Sequence, residues 1–323
     1  MKIIHYVLSE TFAGIEQHVE ELSKIQAINN EVIVVCNPSI SRYYSHARVE
    51  EVSNISRRSI FGIFKLINTI NKLKPDIVHS HGSKTTSIIN SVKKVININH
   101  VCSVHGIKSN TKVYSKADAV IAGSIKIQDS LNVSSYLVEN WWHPDLPKSI
   151  DKTNEYILAI GRLEPVKGFD LLIKSWVGID KKLLIVGDGP EHTKLKQLIS
   201  DNELNDKISI VNSVAKDKLI DFYKKASLLI ISSRREGGPR VALEALYLKI
   251  PVISTRVGHM EQILPGELLA EPDDLNSLKK LISRWVDASF KQDSIYQYVA
   301  EEFSLEKKAK KVFTIYEDLL SKS

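Results

Sequence analysis

Apolar residues in this chain gather into short continuous runs separated by stretches with a helical period. In the first half the runs are residues 2–8, 31–36, 76–79, 98–104, 118–122 and 135–138. Their length and β-branched content suit strands buried on both faces. Between them, residues 14–28, 60–73, 83–94 and 124–131 repeat apolar side chains at helical spacing. The second half restarts the alternation, with strand-like runs at 156–160, 182–186, 207–211, 228–231, 251–254 and 268–270, each followed by a helical pattern. The break is NWWHPDLPKSIDK, Asn140 to Lys152, rich in proline and polar residues. Two α/β runs of similar length predict two doubly wound parallel sheets. The expected division is 1–145, then 146–300, then a closing helix at 301–323 that packs back toward the first domain. Each half is too short for a TIM barrel.

In such sheets, ligands sit at the carboxyl ends of the strands. The unusual residues of this chain collect there. In the first half they are Ser9 to Gly14, His81-Gly82, His105-Gly106 and Gly123-Ser124; in the second they are Gly161-Arg162, Gly187-Asp-Gly189 and Ser233 to Gly238. Polar loops on the same edge of both sheets predict two domains facing a cleft. A periplasmic-type binding protein would share that layout.

The stretch from Ala226 to Leu264 is the most informative. An apolar run, Leu228 to Ile231, gives way to the polar loop Ser232 to Gly238; Pro239 then suits a first helical position. Val241, Ala242, Leu243, Ala245 and Leu246 follow on a helix, and Pro251 to Ser254 starts another strand. A helix entered through glycines offers backbone N–H groups and a positive end to an anion. Glu236 lies just before this helix and Glu244 inside it, with Cα atoms on the order of 10 Å apart at ~1.5 Å rise per residue. That span matches a sugar diphosphate, so one carboxylate can serve each end of a nucleotide sugar. Read for structure alone, Glu236 favours the helix dipole and Glu244 is a solvated helix residue.

Composition narrows the choice. The chain has 323 residues, 43% hydrophobic and 25% charged, which is ordinary for a soluble globular protein of two domains. No run approaches a membrane span, and Met1 to Leu8 reads as a first strand rather than a signal peptide. Cys36 and Cys102 sit in apolar runs as reduced core thiols, which suits the cytoplasm. The net charge is +6. It is concentrated before residue 151, where 17 Lys and Arg oppose 12 Asp and Glu. A basic first half suits an anionic partner: phospholipid, an acidic glycan or a phosphorylated carrier. Nucleic acid fits the sign, but no nucleic-acid motif accompanies it. Residues 57–74, RRSIFGIFKLINTINKLK, place a seven-residue apolar stripe among five cations. Such a helix either buries its stripe in a core or lies on the inner face of a membrane as a peripheral contact.

Glu236-Gly-Gly-Pro-Arg-Val-Ala-Leu-Glu244, with its continuation through Ile253, resembles the signature of retaining GT-B glycosyltransferases, particularly glycosyltransferase family 4. The segment GRLEPVKGFDLLIKSW, from Gly161, resembles the same family's phosphate-binding segment. By that match Arg162 and Lys167 neutralise the departing nucleoside diphosphate, a task for which an Arg fork and a Lys point charge are suited. As a pair in isolation they would read as a solvated basic loop. Gly187-Asp-Gly-Pro190 is a weak fingerprint alone, lacking a third glycine, but looks like the family's loop near the nucleoside. Gly14 matches the glycine-rich first loop, with Ala13 in place of a second glycine. His105 matches the histidine that faces the donor sugar; in isolation it would be a core or turn histidine. His81 and Gly82 fall in a segment that lines the acceptor side in the family.

The resemblance implies a two-domain GT-B enzyme that takes a sugar from a UDP- or GDP-linked donor to a cell-envelope glycan or lipid-linked acceptor, with retention by front-face displacement. His105, Arg162, Lys167 and Glu236 carry the catalytic roles; Gly14, Gly187, Gly238, Arg240, Val241 and Glu244 bind substrate. No cofactor is expected. No Asp-x-Asp stands in a metal-binding setting, since Asp273-Asp274 reads as an N-cap for the helix beginning at Leu275. His79 and His81 are spaced as metal ligands, but no carboxylate or cysteine cluster joins them in sequence. The two cations, not Mg²⁺, are therefore expected to stabilise the leaving group.

The chain departs from the family pattern at several positions. Asn212 and His259 replace glycines, and Pro239 replaces another and removes an N–H, leaving Arg240 and Val241 as backbone donors. Trp141-Trp142-His143 stands where Asn-Gly-Val-Asp is usual, either covering a hinge or stacking on an acceptor sugar. The competing enzyme readings are a GT-B-like nucleotide-sugar epimerase or a glycogen-synthase relative. The non-enzyme reading is a two-domain sugar-binding protein.

Overall fold

The structure, a computed structural model, describes residues 1–107, 110–287 and 292–322. It forms two compact units: Met1–Asn140 with Leu305–Ser323, and Trp141–Ser304.

The first unit contains seven strands: β1 (Lys2–Tyr6), β2 (Glu31–Cys36), β3 (Arg48–Glu51), β4 (Ile77–His81), β5 (His100–Val104), β6 (Ala119–Ala122) and β7 (Tyr136–Leu137). They pair in parallel in the order β3-β2-β1-β4-β5-β6-β7. The near-continuous burial of β1, β2, β4 and β5 follows from helices covering both faces. Strand β3 escapes the hydrophobic pattern. Its sequence, Arg-Val-Glu-Glu, is half exposed at the sheet edge, where parallel backbone pairing to β2 suffices.

The helix Leu305–Leu320 belongs to this first unit. Its Lys308, 2% exposed, donates to the Glu139 carboxylate at 2.8 Å. Burial pushes the Glu139 carboxyl up, and the hydrogen bond and charge of Lys308 more than offset this, so it lies below its ordinary value.

The second unit contains β8 (Tyr156–Ile160), β9 (Leu183–Val186), β10 (Ile208–Val211), β11 (Ala226–Ile231), β12 (Val252–Thr255) and β13 (Leu269–Ala270). Their order is β10-β9-β8-β11-β12-β13, again all parallel. Asp274 caps the helix Leu275–Trp285 by accepting from the Ser277 amide at 3.0 Å, as its sequence suggests. Pro239 stands one place earlier than expected: it is the N-cap, and the helix runs Arg240–Tyr247. Both cysteines are buried free thiols.

In each sheet the chain winds outward in one direction from the first strand, then returns to wind in the other. The reversal lies between β1 and β4 in the first unit and between β8 and β11 in the second. Loops that leave neighbouring strands in opposite directions open a crevice at such a point.

Candidate active site

In the second unit, the loop after β8 (Gly161–Gly168) and the loop after β11 (Ser232–Gly238) meet at the reversal. Gly168 has φ +66°, and a Cβ there would come within 2.1 Å of the Ser232 carbonyl oxygen. Only glycine permits both the left-handed turn and this approach. The Arg234 amide donates to Val166 O at 2.8 Å, and Ser232 Oγ donates to Lys167 O at 3.0 Å. The Arg234 guanidinium forms a two-pronged pair with Asp170 (2.7 and 2.9 Å) and donates to Pro165 O and to Asp273. The Asp170 hydrogen bonds are the main reason that its pKa lies above the ordinary arginine value. Arg234, unremarked in the sequence, is thus the brace that fixes one loop against the other.

The brace places Lys167 Nζ 2.5 Å from Glu236 Oε1, and Ser233 Oγ donates to the same oxygen at 2.8 Å. An ammonium has three donors, so Lys167 keeps capacity for a second acceptor. Its stem passes within 3.4 Å of the Cβ position of Gly161, so Lys167 lies over the end of β8. Arg162 turns elsewhere: its guanidinium donates to Glu164 at 2.6 Å and its side chain is 73% exposed. The structure therefore brings Lys167 and Glu236 together, and leaves the Arg162 side chain extended into solvent.

Glu244 is not a solvated helix residue. It is 6% exposed and accepts from the Tyr223 hydroxyl at 2.9 Å. Burial first, and the neighbouring Glu244 second, hold the Tyr223 phenol well above its ordinary pKa. Glu244 and Tyr223 also line a cavity of about 810 Å³ with His143, Leu146, Ile150 and Leu219. Arg240 Nε donates to the Trp141 carbonyl at 3.1 Å. Gly238 is pinned beside Gly258, whose added Cβ would fall 2.9 Å from the Gly238 Cα. Val241 sits in the first turn of the helix Arg240–Tyr247, beside the positive end.

Gly187 and the two tryptophans are placed as follows. The Gly187 N–H already donates to Val211 O at 2.9 Å, and a Cβ would lie 1.8 Å from Gly161 O. That glycine is required for close passage of two loops, and its amide is engaged in the sheet. Trp141 is buried, and Trp142, half-buried, stacks on Tyr247 at 3.9 Å between centroids.

In the first unit, β1, β4 and β5 bring histidines together that lie far apart in sequence. His5 registers with His79 across β1 and β4, and His81 with Ser103 across β4 and β5. His105 continues from β5, with Nε2 3.3 Å from His81 Nδ1. His18, on the helix Gly14–Gln26, packs edge-on against His105 at 4.6 Å. Burial pulls His105 and His5 down to about 4 from the ordinary 6.5, so both rings are neutral at neutral pH. His5 and His18 were missed in the sequence because each stands singly in its element. Two sets, His5-His79-His81 and His18-His81-His105, bring one nitrogen each within 4.8 Å of one another and have the chemistry to hold a metal ion. A Cβ on Gly14 would meet nothing within 4 Å, so that loop leaves open space at the helix start. Gly82, at φ +85°, opens the helix Ser83–Val92 directly after His81.

Comparison with known proteins accounts for both units. Residues 12–133 match the family described as Glycosyltransferase Family 4, and residues 146–302 match Glycosyl transferases group 1. The chain belongs to this glycosyltransferase family. An uncharacterised glycosyltransferase of Methanocaldococcus jannaschii is 26% identical, covering 95% of each chain. The phosphatidylinositol N-acetylglucosaminyltransferase gpi3 subunit of Schizosaccharomyces pombe is 26% identical over 96% of this chain and 78% of its own length. Among solved structures, Anabaena HepE in complex with UDP-glucose superposes with a TM-score of 0.85 at 17% identity, covering 98% of this chain and all of the other. The architecture is that of the GT-B glycosyltransferases, with two Rossmann-like domains of parallel sheet.

Proposed function

We propose that this glycosyltransferase moves a sugar from a nucleotide-diphosphate donor, with retention of configuration and without a metal, to a lipid-linked or cell-envelope glycan acceptor. The observation that carries the reading is the Lys167–Glu236 pair at the reversal of the second sheet. It sets a cation for the leaving diphosphate beside a carboxylate for sugar hydroxyls. The UDP-glucose bound in the HepE structure is the type of donor this arrangement suits.

In the proposed reaction the bond from the anomeric carbon to the diphosphate oxygen breaks, and a bond to the acceptor oxygen forms on the same face. The acceptor's proton passes to the departing phosphate. Lys167 offsets the charge that develops on the leaving group, and Arg162 swings from Glu164 to join it. Glu236 orients the sugar, Glu244 accepts from the ribose, and the amides near Gly238, Arg240 and Val241 meet the diphosphate. His105 is assigned to the donor sugar, Gly14 to the phosphate, and His81 and Gly82 to the acceptor side. Gly187 shapes the nucleoside loop through its steric role alone.

The acceptor assignment draws on the helix Ile60–Leu73. It buries Leu66, Ile67, Ile70 and Leu73 and leaves Ile60, Phe61 and Phe64 exposed by 79%, 87% and 60%. Arg57, Arg58 and Lys65 are exposed around these residues. Apolar side chains ringed by cations suit the surface of an anionic bilayer. Among the described residues no helix is long and apolar enough to cross a membrane. The name of the S. pombe relative specifies a phosphatidylinositol acceptor for that protein.

Thermal shift with UDP, GDP and their sugars tests the donor class, followed by anomeric analysis of the product with and without EDTA. Stabilisation by one nucleotide diphosphate, retention, and turnover undiminished by EDTA are expected. Inverted product, or activity abolished by EDTA and restored by Mg²⁺ or Mn²⁺, would refute the corresponding part.

A further inference from the structure

The histidines of the first unit form a hydrogen-bonded file rather than a loose cluster. Gln26 Oε1 lies 2.7 Å from His5 Nε2, His5 Nδ1 lies 3.0 Å from His81 Nε2, and His81 Nδ1 lies 3.3 Å from His105 Nε2. Gln26, His5 and His81 are at most 3% exposed. Water is excluded from the inner links, where the rings of His79 and His81 stack at 4.2 Å.

The chemistry of the end group sets a direction. An amide oxygen only accepts, so His5 carries its proton on Nε2. A neutral imidazole has one N–H, which makes His5 Nδ1 an acceptor and requires His81 to donate from Nε2. The same step repeats outward: His81 Nδ1 accepts, and His105 donates from Nε2. Burial lowers the pKa of all three rings, which keeps each in the neutral form this alternation needs.

We propose that Gln26 sets the tautomer of His105 through His5 and His81, leaving His105 Nδ1 unprotonated as a hydrogen-bond acceptor for a substrate hydroxyl. Gln26 and His5 are positioning residues that act only through His105, and His81 is the link that joins them to it. The file does not conduct protons, because a glutamine amide at its inner end cannot take one up. The part concerning the hydroxyl rests on the reading of His105 as a donor-sugar contact; the tautomer does not.

Nitrogen-15 NMR of the imidazole side chains in the full chain, without ligand, tests the file directly. Wild-type His5, His81 and His105 are expected as Nε2–H tautomers. In Gln26→Met the inner acceptor is lost, and His105 should become a mixture of tautomers while kcat/KM falls about fivefold or more. If Gln26→Met folds poorly, His5→Phe cuts the file with a ring of similar size and should give the same spectrum. A wild-type His105 protonated on Nδ1, or a His105 spectrum unmoved by either variant, would overturn the proposal. So would one zinc per chain in purified protein that is lost in His81→Phe, because a metal-bound nitrogen cannot donate. A tautomer that responds with kcat/KM unchanged would uphold the file and remove His105 from the substrate contacts.

Discussion

At the scale of single residues, Lys167 and Arg162 differ in readiness. Lys167 is already held beside Glu236, whereas the Arg162 guanidinium is paired with Glu164, a partner it leaves in the proposed reaction. Lys167→Ala removes a preorganised cation, and kcat/KM is expected to fall at least tenfold, equivalent to about 1.4 kcal/mol of transition-state stabilisation. Arg162→Ala should follow with a comparable loss, and a double variant with wild-type turnover would exclude both from the reaction. The two glutamates make a second test. Glu236→Gln should weaken binding of the intact nucleotide sugar and spare free nucleoside diphosphate, which lacks the sugar. Glu244→Gln should weaken both ligands to a similar degree, since both carry ribose. Calorimetry on each variant with each ligand separates the roles; equal loss of diphosphate affinity in the two would mean that the ends are misassigned.

At the scale of elements, the helix Ile60–Leu73 is divided by burial. Its inner residues contribute core, while Phe61 and Phe64 face solvent and contribute little to folding. Phe61→Ser with Phe64→Ser should therefore leave Tm unchanged within a degree or so and abolish co-sedimentation with vesicles that contain phosphatidylserine. Equal sedimentation of variant and parent would show that the aromatics do not reach lipid. The loops after β8 and β11 show the opposite economy. Arg234 ties the second loop to Asp170, just past the first, and to Asp273. That brace was invisible in sequence because its partners are separated from it by 64 and 39 residues. A lone arginine between a serine and another arginine carries no signal of such an engagement.

At the scale of the whole molecule, the chain returns to its first unit through a buried ion pair. Lys308→Met removes the ammonium that pairs with the buried Glu139 carboxylate, which is expected to cost about 3–5 kcal/mol. Pairing it with Glu139→Leu should recover most of the lost Tm. No recovery in the pair would mean that the helix is held by other contacts. The buried imidazoles set the acid limit. His5 and His105 titrate near 4 in the folded chain, and His100 near 3, against 6.5 for an ordinary histidine. An unfolded chain therefore takes up protons first as pH falls. Stability from these groups is intact above pH 6.5, declines below it and is fully lost only below the folded values. His5 and His105 each contribute roughly 3 kcal/mol over that range, and His100 roughly 5. Tm should fall between pH 6.5 and 5, before ordinary carboxylates titrate; a flat Tm across that window would contradict it.

The alternation of apolar runs and helical patterns determined two parallel α/β sheets, because a strand covered on both faces must be apolar throughout. The motifs Gly161 to Gly168 and Glu236 to Glu244 likewise placed the candidate chemistry at strand ends, since loops that approach phosphate need glycine and charge at short local spacing. What escaped was non-local. Strand β3 needed only a neighbour's backbone, and its polar side chains left no periodic mark. The Tyr223 partner of Glu244, the Arg234 brace and the file from Gln26 to His105 exist because strand order brings distant residues into register. Hydrogen bonds of that kind depend on distances of about 3 Å, which only the folded chain decides.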